Sequence, residues 1–310
     1  MNKNSKIYIA GHKGLVGSAI VKSFKEQGYT NLVLRTRDEL DLLDKKSVFE
    51  FFNAEKPEYV INSAAKVGGI SDSIAHPAEY LYENVELQNN ITWAAKEAGV
   101  KRFLFIGSAV VYPNDSPQPM KEEYFMQGEP DPTKSGYAYA KINGLKLCEY
   151  INQEFGLAFN TCLPTNIYGP NDNFDPATSH VIPSLIRRMH EAKVNNLSEV
   201  SIWGKGDARR EFLYVDDLAE AVIWLLGNYD SKEFVNVGTG KDVSMRELAE
   251  SIKKIVGYEG ELVFDATKPE GIPRRLFNVA RLHDTGWHHK MLLEDGLNTT
   301  YQYFLKNIAT

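Results

Sequence analysis

Short runs of Ile, Val, Leu and Phe alternate along the first half of the chain with longer stretches whose apolar residues recur every three or four positions. The runs Lys6–Ala10, Asn31–Arg35, Tyr59–Ala64, Phe103–Gly107 and Phe159–Leu163 predict strands. The stretches Ser18–Gln27, Lys45–Ala54, Ala75–Ala98 and Tyr137–Glu154 predict helices. Repeated strand–helix alternation gives a parallel sheet covered on both faces, with right-handed crossovers. The strand runs are apolar throughout, as a sheet buried on both sides requires. The expected fold class is α/β, a Rossmann-type doubly wound parallel sheet with a smaller α/β lobe.

After Pro164 the rhythm changes. Asn166–Ser179 is rich in Pro, Asn, Asp and Gly and reads as a loop over a site. A helix is expected over Ile182–Ala192. Strands are expected at Val200–Trp203, Phe212–Val215, Phe234–Val237 and Leu262–Phe264, with helices at Leu218–Leu226 and Met245–Val256. The division expected is a first domain over residues 1–170, with returns from about 209–241, and a second lobe over 171–310. No repeat, low-complexity tract or flexible linker separates them.

Composition narrows the function. The chain has 310 residues, 43% hydrophobic and 25% charged, which is ordinary for a globular enzyme. Its net charge of −6 argues against nucleic acid as the partner. Cys148 and Cys162 have neither the number nor the spacing of a disulfide framework or a zinc site, so no metal is expected. No apolar run reaches membrane-spanning length and no signal-peptide layout is seen, so the expected compartment is the cytoplasm.

Gly11, Gly14 and Gly17 lie between a predicted strand and a predicted helix. In that context a glycine-rich turn lets backbone N–H groups approach a pyrophosphate at the helix N-terminus. Lys13, Leu15 and Val16 belong to the same turn. The second strand ends Leu34-Arg35-Thr36-Arg37, where an NAD site places an acid. Arginines there suit a 2′-phosphate, so Arg35 and Arg37 point to NADP(H), with Lys13 in the same corner. Asp41 and Leu42 follow at a place to meet the adenine. Ala64 and Ala65 end the third strand, where small residues let a cofactor lie flat.

Tyr137 and Lys141 are four residues apart and share a helix face. A free phenol ionises at about pH 10, and a nearby ammonium is expected to lower that value. Such a tyrosine can give its proton to a carbonyl oxygen as hydride reaches the carbon. Ser108, after the fourth strand, can hydrogen-bond the same oxygen. Tyr139 is the competing phenol, but two residues from the lysine it should point elsewhere.

These residues resemble the extended short-chain dehydrogenase/reductase family. The segments Ala10–Ser18, Leu34–Leu40, Ala64–Gly69, Pro164–Phe174, Ser179–Pro183 and Arg210–Asp217 resemble its GDP-L-fucose synthase branch over nearly the whole chain. That branch reduces a GDP-linked 4-keto-6-deoxy sugar with NADPH after epimerising C3 and C5, and forms homodimers through its long helices. The resemblance implies a catalytic set of Ser108, Tyr137, Lys141 and His180. It adds Lys141, Pro164, Asn166, Ile167 and His180 to the cofactor contacts. It gives as substrate contacts Ser108, Val110, Asn166, Val181, Arg188, Trp203, Arg210 and one of Arg274 or Arg275, Arg274 being the first choice. Arginines suit a diphosphate, which they can grip through two parallel hydrogen bonds.

One departure changes the expected chemistry. The branch carries Ser-Ser-Cys-Ile-Tyr-Pro after the fourth strand, and its cysteine is the epimerisation base. This chain has Ser108-Ala109-Val110-Val111-Tyr112-Pro113. Valine cannot take a proton, and His180 alone can supply only one of the base and acid that epimerisation needs. The expectation is a C4-keto reductase with C3/C5 epimerase activity weak or lost, as in similar reductases of GDP-heptose pathways. The alternative is a bifunctional GDP-L-fucose synthase with another base. Hexose versus heptose is left open.

Overall fold

The computed structural model describes residues 1–268 and 271–309. Pro269, Glu270 and Thr310, which belong to the expected second lobe, lie outside the described residues. In chain order the elements are β1 (Ile7–Ala10), α1 (Leu15–Glu26), β2 (Leu32–Val33), α2 (Lys45–Glu55), β3 (Tyr59–Asn62), α3 (Ile70–Ala75) and α4 (Pro77–Glu97). Then come β4 (Arg102–Ile106), α5 (Ser135–Phe155), β5 (Phe159–Pro164), β6 (Asn166–Tyr168), α6 (Val181–Val194), β7 (Glu199–Trp203), β8 (Arg209–Tyr214) and α7 (Val215–Asn228). The chain ends with β9 (Val235–Val237), β10 (Asp242–Ser244), α8 (Met245–Val256), β11 (Glu261–Asp265), β12 (Arg274–Arg275), α9 (Ala280–Asp284) and α10 (Leu293–Asn307).

Six parallel strands form the large sheet in the order β2-β1-β3-β4-β5-β9. From β1 the chain goes to β2 on one side and to β3 on the other. That reversal opens a crevice at the strands' carboxyl ends, where such sheets bind ligands. Both faces are buried, and side chains of one strand serve them alternately. In β1, Ile7 and Ile9 join Ile20 and Phe24 of α1 and Leu218 and Val222 of α7. Tyr8 and Ala10 face the other way, toward Phe52 of α2, Ile91 of α4 and Ile151 of α5. The fold is therefore the doubly wound α/β sheet that the periodicity predicts.

A second cluster is built on α6, α8 and α10, with Val200 and Ile202 of β7. Here β7 and β11 pair in parallel, and a separate sheet runs β10-β8-β12 with β6 against β8. The segment read as a loop from Asn166 therefore begins with a strand. Tyr168 is buried, and β6 registers Asn166–Tyr168 against Phe212–Tyr214. The Pro- and Gly-rich composition of the residues after Tyr168 hid this short strand. Phe234–Val237 does return to the large sheet, as β9 beside β5. The strands β10 and β12 and the helices α3 and α9 were not predicted, because each is too short to give a clear period; α10 was missed although its apolar positions recur at helical spacing.

Among the described residues no helix is long and apolar enough to cross a membrane.

Candidate active site

The glycine turn sits where β1 meets α1. Gly11 has φ +78°, and a Cβ on it would lie 2.8 Å from the Ala64 nitrogen. A Cβ on Gly17 would lie 2.1 Å from the Gly11 oxygen. Only glycine allows this approach of strand, turn and helix. Gly14 caps α1 without a side-chain hydrogen bond, so the first N–H groups of the helix, those of Leu15 and Val16 among them, keep no side-chain partner at the cap. These N–H groups and the helix dipole fit an anion. The donor set therefore fits a dinucleotide pyrophosphate. Ala64 and Ala65 border the turn, both partly buried.

The basic corner adds partners that the sequence does not show. Arg35 pairs with Glu55 at 2.5 Å, donates to the Leu34 oxygen at 2.9 Å and lies over the Phe51 ring. Glu55 also holds Lys6 at 3.0 Å. Arg35 is thus bound into the β1–α2 side, whereas Lys13 and Arg37 stand exposed. The pKa of His12 is held low by burial and by Lys13, with Glu39 and a hydrogen bond to the Arg35 backbone opposing. The Asp41 carboxylate accepts from the Leu43 N–H at 3.0 Å, and the Leu42 oxygen accepts from Asn90 at 3.0 Å.

At the end of β4, Ser108 takes extended backbone and its hydroxyl accepts from the Val110 N–H at 3.5 Å. Ser108 also hydrogen-bonds Tyr137. Lys141, buried, donates to the Ile106 oxygen at 2.9 Å, and its ammonium lies 5.6 Å from the Tyr137 ring centroid. The structure thus brings Ser108, Tyr137 and Lys141 together. The electrostatics differ from the expectation that the lysine lowers the phenol. Burial pushes Tyr137 up and the Ser108 hydrogen bond opposes it. Burial brings Lys141 down to about 7, with Cys162 opposing. Desolvation penalises both charges and is the largest cause of each shift. Tyr139 points away, its hydroxyl on Glu129.

Sequence reasoning missed a second phenol. Tyr80 is buried in α4, donates a short hydrogen bond to Asp72 and couples electrostatically to Tyr137. A Cβ on Gly68 would lie 2.1 Å from the Tyr80 hydroxyl, so the loop after β3 is fitted onto this pair. The eight-residue spacing of Asp72 and Tyr80 carries no signal, because a helix break at His76 creates the contact. Lys134, just before α5, was missed as well.

Across the cleft, His180 caps α6 from extended backbone and Val181 opens the helix. The His180 ring reaches solvent, but packing and the nearby Lys134 hold its pKa below the ordinary imidazole range. Arg188 donates to the Ser201 oxygen, and Trp203 ends β7 with 61% of its surface exposed. The Asn166 amide donates to the Glu211 oxygen at 2.8 Å. Pro164 ends β5, and Ile167 packs partly against the large core. The two candidate arginines separate. Arg274 pairs with Asp242, which Arg209 also holds at 3.0 Å. Arg275 donates to the Ala109 oxygen at 3.1 Å, next to Ser108, and couples to Arg210, Lys134 and Asp131. The structure thus brings Arg275, rather than Arg274, to the serine turn.

Comparison with known proteins places the chain in a family. Residues 7–238 match the family described as the NAD dependent epimerase/dehydratase family. The chain is 50% identical over 308 residues to GDP-L-fucose synthase 1 of Arabidopsis thaliana, covering 99% of this chain and 95% of the relative. It is 49% identical to GDP-L-fucose synthase of Escherichia coli K12, covering 97% of each. A solved GDP-mannoheptose C4 reductase from Campylobacter jejuni, with NADP bound, superposes with a TM-score of 0.91 at 39% identity, covering 98% of this chain and 99% of that one. With its glycine turn, its Ser–Tyr–Lys set and relatives along its whole length, this chain belongs to the NAD dependent epimerase/dehydratase family, beside the GDP-L-fucose synthases.

Proposed function

We propose that this NADP-dependent nucleotide-sugar enzyme reduces the C4 ketone of a GDP-linked 4-keto sugar, a 6-deoxyhexose or a heptose, with C3/C5 epimerase activity weak or absent. The observation that carries the reading is the joined Ser108–Tyr137–Lys141 set, with Val110 on the same turn. NADPH, when bound, supplies the hydride. The N–H groups of Leu15 and Val16 and the turn Gly11–Gly14 hold the pyrophosphate, while Lys13 and Arg37 meet the 2′-phosphate. Tyr137 gives the proton on its hydroxyl to the carbonyl oxygen of the substrate, and Ser108 polarises that oxygen. Lys141, anchored on the Ile106 oxygen, orients the phenol. Arg188, Arg210 and Arg275 receive the diphosphate, and Trp203 offers an aromatic surface to the nucleoside. Asn166 and Val181 line the sugar.

Residues 1–170, with the return through α7 and β9, serve as the cofactor domain, and residues 171–310 as the substrate lobe. His180 is a positioning group, because no second proton-transferring side chain stands at Val110. The two buried free thiols, Cys148 and Cys162, suit a reducing compartment, and we assign the enzyme to the cytoplasm. We also infer a homodimer through α4 and α5, whose outer faces expose Leu81, Tyr82, Trp93 and Tyr150.

Tyr137→Phe should abolish NADPH oxidation with a 4-keto GDP-sugar while NADPH binding survives; an active variant would remove Tyr137 from its role. The names of the relatives favour one second reading, a bifunctional GDP-L-fucose synthase. Incubation with the 4-keto sugar in heavy water separates the two. The reductase-only reading expects no deuterium at C3 or C5, and rapid uptake at either position would overturn it.

A further inference from the structure

We propose that Glu211 is a positioning residue of the substrate site, a buried carboxylate that fixes the chain leaving β12 and with it Arg275, while its main-chain oxygen holds Asn166. The inference rests on the reading that these residues receive the nucleotide-sugar.

Glu211 lies in the middle of β8 and is fully buried. Its two oxygens are divided between two chain segments. Oε1 accepts from the Thr239 N–H at 2.6 Å, the Gly240 N–H at 2.7 Å and the Thr239 hydroxyl at 3.3 Å. Oε2 accepts from the Phe277 N–H at 2.8 Å. Its main-chain oxygen accepts from the Asn166 amide at 2.8 Å and the Thr165 hydroxyl at 3.2 Å. One residue therefore ties β8 to the turn after β9, to the chain leaving β12 and to the start of β6.

The strand register turns this tie into aim. Arg275 of β12 lies opposite Arg210 of β8, and Arg274 lies opposite Arg209. Side chains alternate along a strand, so Glu211 shares a face with Arg209 while Arg210 takes the other. Arg209 and Arg274 are both held by Asp242. Arg210 and Arg275 are thereby left to the opposite face, where Arg275 meets the Ala109 oxygen beside Ser108. Glu211 pins the back of this two-arginine platform. Phe277, which it holds, is only two residues past Arg275.

The site requires a carboxylate. Four donors converge on it, and an ionised acid is acceptor-only at both oxygens. An amide of the same shape keeps one oxygen. Turned toward Thr239 and Gly240, it presents its NH₂ to the Phe277 N–H, and two donors then face each other. Glu211→Gln should therefore release β12 and Arg275 first.

The test uses calorimetric binding of GDP-mannose together with steady-state kinetics on the 4-keto sugar. Glu211→Gln should weaken GDP-mannose binding about tenfold and raise the KM of the sugar nucleotide by a similar factor. The NADPH Kd and saturating kcat should stay within about twofold. In an Arg275→Ala background the same change should add little, because its target is already gone; a purely structural role would add its full effect there. Should Glu211→Gln fail to fold, Gly238→Ala probes the same carboxylate, since a Cβ there would lie 2.3 Å from Oε1. Unchanged GDP-mannose binding in the variant, additive losses in the double variant, or wild-type protein that ignores GDP-mannose would each overturn the inference. Wild-type protein that binds GDP-mannose but leaves NADPH unoxidised would instead sink the reductase reading, and Glu211 would stand or fall on the binding data alone.

Discussion

Lys141 shows how burial shapes a candidate catalytic group. Its pKa in the folded chain is brought down to about 7, against an ordinary 10.5, chiefly by desolvation. Between these values the unfolded chain binds a proton that the folded chain has released. Unfolding therefore takes up a proton, and stability from this group rises with pH across that window, by about 1.4 kcal/mol per pH unit. Below about pH 7 both states are protonated and the slope vanishes. Comparing urea unfolding of wild type and Lys141→Met at pH 7 and pH 9, the wild type should gain about 2 kcal/mol relative to the variant. Equal pH dependence would mean that the ammonium stays charged inside the fold. The residue scale is also where the sequence was least legible. Ser108, Tyr137 and Lys141 could be read because strand ends and helical spacing fix where they meet. Tyr80 with Asp72, Lys134 and Glu211 could not, since nothing local says that a break at His76 or a turn after β9 will bring them in. The partner of Arg35 was hidden for the same reason: Glu55 is twenty residues away on another element.

Elements were more legible than residues. The strands of the large sheet and the helices α1, α2, α4 and α5 follow from periodicity, because each buries a face wide enough to write its pattern. The two-residue β12 has no room for one, and α10 was missed although Leu297, Tyr301 and Phe304 recur at helical spacing. The junction of β1 with α1 carries a sharper consequence. A Cβ on Gly17 would lie 2.1 Å from the Gly11 oxygen and 2.7 Å from its carbonyl carbon, both backbone atoms that cannot turn aside. Gly17→Ala should push α1 off the strand, cost about 1–3 kcal/mol of stability and raise the NADPH Kd at least tenfold. Thermal unfolding and fluorescence titration with NADPH would measure the two effects. A variant that binds NADPH normally would show that the turn adjusts.

At the scale of the whole molecule, α4 and α5 leave an apolar outer face. Tyr82 is 68% exposed, and Trp93 meets Phe155 edge-on at a ring separation of 6.4 Å. Replacing Tyr82 and Tyr150 together with glutamate should convert a dimer to monomer in sedimentation equilibrium, with secondary structure retained. A wild type that already sediments at 35.0 kDa would dispose of the dimer.

The path of the chain has one more consequence. The large sheet obtains its last strand, β9, and one of its covering helices, α7, only after the chain has passed through β6, α6, β7 and β8. A fragment ending near Tyr168 would leave the β9 side of β5, at Cys162 and Leu163, unpaired and would uncover Ile7, Ile9 and Leu104. The half built on the large sheet is thus not separable from the half built on α6, α8 and α10. Ribosomal synthesis must run well past residue 237 before either can be complete, and a protease that nicks the intervening segments should cost the protein both at once.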